Sequence, residues 1–413
     1  MTRRKVFVVG AGLAGLAAAV ALVGRGVDIE LFEAAPQAGG RCRSYFDPQL
    51  GMVIDNGNHL VLSGNGATFA YLRALGAEDR LAGPEEARFA FVELPSGVRW
   101  TLAPGEGAIP WWIFHENRRV PGTRVADYLS LLRLLRPSPM RRIDSVTECR
   151  GALWDRLMRP LLLAALNTEP EQASAVLAGN VLRETLAKGG RFYRPCIATP
   201  NLAAAFVEPA TAFLTRNKVR IRLGERVRTI GFDEHSVLSL DLGDETVPVS
   251  ANDRVILAVP QWIAGTLVPG VSVPTETSAI VNAHYLVRVG ADAPPMLGVI
   301  GGTAEWLFAF PDRVSVTVSA ADAIVERDRA EIAEILWRDV TKAYGLSGPL
   351  PAWQVVKEKR ATFRATPEQN ALRPEAATQW PNLILAGDWT ATGLPATIEG
   401  AIRSGQKAAR LVN

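Results

Sequence analysis

The feature that most constrains this chain is a set of three glycines, Gly10, Gly12 and Gly15, lying between an apolar run and a stretch of small apolar residues. Lys5–Val9 (KVFVV) predicts a short buried strand, and Leu13–Val23 predicts a helix apolar on all sides, as suits packing on a sheet. Asp28–Phe32 alternates and predicts a second strand, which completes a βαβ unit. In Gly10-Ala11-Gly12-Leu13-Ala14-Gly15 the first glycine permits a tight turn. The second lets the main chain approach a pyrophosphate, and the third lets helix lie on strand. The helix start then turns free N–H groups and a positive dipole end toward the phosphates. Glu33 lies 18 residues beyond Gly15, near the offset of about 20 at which an acid takes ribose hydroxyls. Ala34 shares its turn. Met1–Leu22 has the basic start and apolar body of a signal peptide, but the glycines interrupt it and strand-then-helix fits better.

Two further motifs extend this reading. Gly39-Gly40-Arg41 follows Glu33 by six residues; the glycine pair lets the chain double back, and Arg41 can pair with phosphates by charge-assisted bonds. Its position favours FAD over NAD. Near the other end, Ala386-Gly387-Asp388 follows the predicted strand Asn382–Ala386, and Thr397-Ile398 opens a helix to Leu411. Asp388 can accept bonds from a ribityl chain. The helix N-terminus can stabilise the negative charge of a reduced flavin ring.

Between these ends the pattern changes. Trp111–Lys188 reads as mostly helical, with Pro160 kinking or dividing Leu153–Leu166. Val219–Val259 reads as short strands, and Arg327–Tyr344 as an amphipathic helix. With 413 residues, two domains are expected. They are an α/β, Rossmann-like FAD-binding domain of glutathione-reductase type, over 1–85, 205–265 and 355–413, and an inserted α+β substrate domain, over 86–204 and 266–354. A content of 48% hydrophobic and 21% charged residues marks a globular chain. The net charge of +3, without Lys/Arg blocks or finger spacing, argues against nucleic acid as a partner. Cys42, Cys149 and Cys196 form no CxxC pair, which predicts a reducing compartment, no disulfide framework and no metal. With no apolar run of about 18 residues, the expectation is a cytoplasmic chain whose membrane contact, if any, is peripheral at the inner face.

The stretches GAGLAGL, FEA, GGRCRS, LAGDW and PATIEGAIRSG resemble the flavin amine oxidase and carotenoid desaturase superfamily, as do Val227 and Leu257-Ala258-Val259-Pro260. The resemblance implies an adenine contact through the main chain of Val227. Within that superfamily, APQAGGRCRSYFD, IDNGNHLVLSGN and AGDWTATGLPATIEGAIRSG are most similar to the bacterial hydroxysqualene dehydroxylase family. That implies reductive removal of a hydroxyl from hydroxysqualene to give squalene, in hopanoid precursor synthesis. Amine oxidases resemble one another in an aromatic cage residue where this chain has Leu394, and in a lysine near the flavin that Ala279–Leu286 lacks. Both departures suit a hydrocarbon substrate. The alternatives are a polyene desaturase, a prenyl-lipid carrier without catalysis and an amine oxidase.

Carbon–oxygen cleavage needs an acid to protonate the departing water. The superfamily resemblance brings Asp55-Asn56-Gly57-Asn58-His59 close to the flavin. Asp55 and His59 are therefore the candidate acids, against a reading in which they only satisfy a turn. Gly57, Asn58 and His59 are equally candidate FAD contacts, and His284 is a second polar candidate at the substrate. Trp111, Trp112, Phe114 and Trp154 either line a hydrocarbon tunnel or belong to the core, and Trp111–Phe114 has a third reading as a membrane-dipping run. The residues identify no flavin reductant.

Overall fold

The computed structural model describes residues 3–412, so Met1, Thr2 and Asn413, with the outermost bounds expected above, lie outside the described residues. The glycine turn joins β1 (Lys5–Val9) to α1 (Leu13–Leu22), and β2 (Asp28–Glu33) follows. α1 is buried on nearly every side, which explains its uniformly apolar sequence. β1 is the centre of a five-stranded parallel sheet of order β10-β2-β1-β14-β20, in which β10 is Arg220–Leu223, β14 Arg254–Leu257 and β20 Leu383–Leu385. Phe7 pairs with both Glu30 and Val255, and Ile256 with Ile384. The helices α2 (Gly66–Leu75), α6 (Glu208–Arg216) and α10 (Ile398–Arg410) share one apolar cluster with α1.

Smaller pieces connect to this layer. β3 (Ser44–Asp47) and β4 (Met52–Asp55) form a hairpin, and β5 (Leu60–Leu62), β9 (Pro195–Ala198) and β6 (Leu81–Ala82) a three-stranded sheet. β11 (Thr229–Phe232), β12 (Val237–Asp241) and β13 (Thr246–Pro248) form an antiparallel sheet between β10 and β14.

The second large element is a seven-stranded sheet of order β19-β15-β18-β17-β16-β7-β8. Its strands are β7 (Phe89–Glu93), β8 (Arg99–Leu102), β15 (Thr277–Tyr285), β16 (Met296–Ile300), β17 (Trp306–Ala309), β18 (Val314–Val318) and β19 (Trp353–Phe363). The pleat sorts its side chains. Val281, Tyr285, Leu307 and Val316 pack with α8 (Arg329–Tyr344) on one side. The opposite face carries Asn282, His284, Ser315 and Thr317 toward the β19 edge, and Phe308, Trp306 and Phe91 toward the β8 edge, by the registers of the paired strands. One face is thus polar at one end and aromatic at the other.

The stretch expected to be mostly helical is broken. It holds α3 (Val125–Leu129), α4 (Arg159–Leu166), α5 (Ala175–Glu184) and several 3₁₀ turns, with Pro121, Pro137 and Pro139 interrupting its first half. The irregularity falls at Pro160 without dividing the helix, which runs from 152 through a π-helical turn, Trp154–Met158, directly into α4; the widened turn lies just ahead of Pro160, which has no N–H to donate. α7 (Gln261–Leu267) follows β14, and α9 (Pro367–Ala371) follows β19. Among the described residues no helix is long and apolar enough to cross a membrane.

Candidate active site

At the turn after β1, Gly10 has φ +103°, and a Cβ there would sit 2.5 Å from the Ala258 carbonyl oxygen. The doubled-back chain lies directly on this turn: Gly39 N–H donates to Ala11 O at 2.8 Å, and a Cβ on Gly40 would be 3.2 Å from Gly12 Cα. A Cβ on Gly12 would meet nothing within 4 Å, so the other side of the turn is open. α1 begins there without a side-chain cap and without an acid in its first turn. Its free N–H groups and positive end are what a pyrophosphate uses. Glu33 accepts from Ala11 N–H and Ala35 N–H, each at 2.8 Å, which fixes its carboxylate beside the turn with Ala34 between its partners. Val227 is buried, and its main-chain N–H and carbonyl make no main-chain bond among the described residues. Buried main-chain groups are nearly always paired, so an adenine edge suits that position. These observations fit FAD.

The segments from the two ends of the chain meet at Arg41. Its guanidinium donates from Nη2 to both Asp388 oxygens, at 2.6 and 2.7 Å, and from Nη1 to Ala361 O. Asp388 is buried, and the loop from Gly387 to Leu394 is held by Arg373, which sequence reasoning missed. Arg373 Nη2 donates to Asp388 O, Thr390 O and Thr392 Oγ1. Burial lowers its pKa to about 10 against the pull of Asp388. Thr397 then caps α10, accepting from Gly400 N–H at 3.0 Å with Ile398 as the first helical residue.

The loop between β4 and β5 is tied to the polar end of the large sheet. Asn58 Nδ2 donates to Thr317 Oγ1 at 3.2 Å, Thr317 donates to Asn282 Oδ1 at 2.8 Å, and Asn282 Nδ2 donates to Asn56 O at 3.2 Å. Gly57 is required beneath Asn282, whose Nδ2 would lie 2.9 Å from a Cβ. Asn56 Oδ1 is buried without a hydrogen-bond partner among the described residues, an acceptor available to a bound group. Asn282 and Thr317 were also missed. The alternation Asn282, His284 in β15, two polar residues on one face, was the signal that could have found the first.

Two curated proteins named hydroxysqualene dehydroxylase align along nearly the whole chain. The one from Sinorhizobium fredii is 50% identical over 408 residues, 99% of this chain and 98% of that protein. The one from Rhodopseudomonas palustris is 51% identical over 410 residues, with the same coverage. The chain belongs to the hydroxysqualene dehydroxylase family. The broader model, flavin containing amine oxidoreductase, matches residues 13–413, and the chain is an FAD-dependent oxidoreductase. A probable zeta-carotene desaturase from Synechococcus elongatus is 24% identical over 478 residues, 98% of each chain. A double mutant of putrescine oxidase shares the fold, with TM-score 0.73 at 17% identity over 99% of each chain.

In this hydroxysqualene dehydroxylase family member several expected site residues are committed elsewhere. Asp55 Oδ1 accepts from Ser44 Oγ and from Leu202 N–H, at 2.5 and 2.9 Å. Ser44 Oγ in turn accepts from Ala203 N–H, and Asn201 from Ala204 N–H, so these three side chains cap the helical run into α6. Burial pushes the Asp55 carboxyl above the usual range. His284 is a correction. It is fully buried, its Nδ1 is 2.8 Å from Ser315 Oγ and its Nε2 3.1 Å from Asp55 O. The carbonyl can only accept, so Nε2 carries the proton and Nδ1 accepts from serine, leaving no ring atom for substrate. Trp112 and Trp154 are core residues, Trp112 packing edge-on against Tyr128 at 5.5 Å. Trp111 is 65% exposed and walls no enclosed tunnel. Leu394 is buried. His59 remains. It is partly buried, no hydrogen bond from the described residues holds it, and burial with the nearby Arg41 charge lowers its pKa to about 4.

Proposed function

We propose that this chain removes the hydroxyl of hydroxysqualene reductively, giving squalene. What carries the reading is identity of 50–51% to named hydroxysqualene dehydroxylases across nearly the whole length of both chains. The balance is alcohol plus proton plus hydride, giving hydrocarbon plus water. Reduced FAD, when bound, supplies the hydride. Gly10, Ala11, Gly12, Leu13, Ala14 and Gly15, with Glu33, Ala34 and Gly40, would hold its phosphates and ribose, and Arg41, paired with Asp388, would add its charge beside them; Val227 would take the adenine, and Gly387, Asp388, Thr397 and Ile398 the ribityl chain and ring. Gly57 and Asn58, tied to Asn282 and Thr317 at the polar end of the sheet face, would contact it from that side.

The chain's own work is to bind a hydrocarbon, exclude water and move one proton. Leu394 offers an aliphatic contact beside the flavin motif, while Phe308, Trp306 and Phe91 belong to the same core cluster as Trp112 and back the sheet. Each CH₂ of the hydrocarbon buried on binding contributes about 0.8 kcal/mol. His59 is the side chain assigned to the leaving hydroxyl, because its ring is unbonded and Asp55 is engaged in capping; neutral at rest, it passes one ring proton to the departing oxygen as its other nitrogen takes one from solvent, so the proton consumed is drawn from water. Residues 1–85, 205–265 and 355–413 form the cofactor part, and 86–204 and 266–354 the substrate part. In support, the parallel sheet draws every strand from the first set, while β19 straddles a boundary. Squalene-type substrate reaches the site from lipid, with contact at one membrane face.

The test is anaerobic. The purified protein is loaded with FAD, reduced and mixed with hydroxysqualene, and flavin spectrum and lipid products are followed together. Flavin reoxidation with stoichiometric squalene is expected. A flavin that stays reduced, with no squalene, would overturn the reading; desaturation of squalene or phytoene with an electron acceptor would assign the chain to polyene desaturation.

A further inference from the structure

Residues 109–142 build a lobe with an unusual outer face. Within it, the 3₁₀ turn Trp111–Phe114 turns Trp112 and Ile113 inward, and α3 with the following turn Ser130–Leu135 turns Tyr128 and Leu134 inward. Tyr128 accepts from Val120 N–H at 3.1 Å and meets Trp112 edge-on, so the two turns form one packed unit. The same local geometry sends other apolar residues outward. Seven large apolar side chains among the described residues are more than half exposed, and six of them are here: Ile109, Trp111, Phe114, Leu129, Leu132 and Met140. Trp111 and Phe114 lie together, ring centres 6.0 Å apart. Such a concentration of exposed large apolar side chains within one short segment marks an interaction surface.

Charge says what the surface meets. Residues 109–142 contain seven arginines against Glu116 and Asp127, whereas the whole chain is only +3, so the remainder of the molecule is net acidic. Arg118, Arg124, Arg133 and Arg136 are exposed beside the apolar tips, and Arg118 and His115 line an open depression together with Ile109 and Trp111. Aromatic and aliphatic tips ringed by arginine are complementary to an anionic bilayer: the tips enter the headgroup–acyl boundary while guanidinium groups meet phosphates. We propose that residues 109–142 are the face by which this protein docks on anionic lipid. This deepens the dehydroxylase reading and rests on it for its purpose. Trp112, Ile113, Tyr128 and Leu134 share one apolar cluster with Phe91, Met296, Trp306 and Phe308, so the lobe is anchored to the large sheet through its core.

The test uses FAD-loaded protein and substrate-free vesicles of phosphatidylcholine, alone or mixed with phosphatidylglycerol, read by co-sedimentation. Binding is expected to the mixed vesicles and to weaken as salt rises. Arg133→Glu/Arg136→Glu should lower affinity for mixed vesicles roughly tenfold or more, since each basic residue near an anionic surface is worth about fivefold. Leu129→Ser/Leu132→Ser should lower it about tenfold. An unchanged thermal midpoint shows that each variant is folded. No binding to either vesicle, or binding that both variants leave unchanged, overturns the proposal. A dimer in sedimentation velocity that the variants dissolve, without vesicle binding, overturns it too and gives the face to a second copy. Because the vesicles hold no substrate, docking without turnover counts only against the dehydroxylase reading, and turnover of detergent-dispersed substrate without docking counts only against the surface.

Discussion

His59 and His284 carry the same ring to the same polar cluster and end with opposite bonding. Ser315 and the Asp55 carbonyl use both nitrogens of His284, and burial lowers its pKa to about 4. Its role is to join β15 to β4. His59, at a similarly low pKa of about 4, is not held by any such pair. Both rings are therefore neutral at pH 7, and His59 acts as a neutral hydrogen-bonding group rather than a standing imidazolium. His59→Gln is expected to lower kcat by about 10² while the flavin absorbance of the purified protein is retained. Asp55→Ala is expected to behave differently: it leaves Leu202 N–H and Ser44 without their acceptor, costing about 1–3 kcal/mol in denaturant unfolding. Equal loss of kcat in both, with equal stability, would remove the distinction between a reacting and a capping side chain.

α1 and α10 cross in near main-chain contact, and the crossing depends on Gly405, where a Cβ would fall inside van der Waals contact of Ala14 O and 3.0 Å from Ala18 N. Gly405→Ala should force the helices apart, costing about 1–3 kcal/mol and loosening the turn at the N-terminus of α1. Urea unfolding and flavin release on dilution measure the two effects; a variant as stable and as flavin-tight as the native chain would refute the contact. Such elements differ in how far they could be read beforehand. β1, α1 and β2 were legible because their signals are local: an apolar run, glycines at fixed spacing and an alternating strand. Pro160 was legible for the same reason. The β7–β8 hairpin was not, because its parallel pairing with β16, Ala90 against Leu297, joins residues some two hundred positions apart and leaves no local trace. The site divides likewise. Gly10, Glu33 and Arg41 stood out by spacing, whereas Arg373 and Thr317 matter only through partners that the fold brings to them.

The molecule as a whole should respond to acid through groups of opposite sign. His59 and His284 stay neutral in the fold down to about pH 4, while an unfolded chain protonates them below about 6.5. Their contribution is present above 6.5 and is lost as pH falls through about 4. Burial pushes the Glu305 carboxyl up to about 7 from 4.5, so its contribution is complete below 4.5 and is lost as pH rises through about 7. The two partly cancel between pH 5 and 7. Glu305→Gln removes the opposing member and should deepen the fall in Tm between pH 7 and pH 5 by about 2 °C. An unchanged profile would show that Glu305 titrates in the fold as it does in water.

The strand order of the parallel sheet has a bearing on how this protein is made. β1 is flanked by β2 and by β14, and β14 pairs on its other edge with β20, which lies far along the chain from β1. α1 waits equally for α10. During synthesis at about 5–20 residues per second, β1 and α1 stay without β20 and α10 for as long as the several hundred residues between them take to make, with no complete flavin cradle to close on. The cradle is complete only once the segment around Asp388 and α10 has joined β1 and α1, so cofactor capture follows the meeting of segments far apart along the chain.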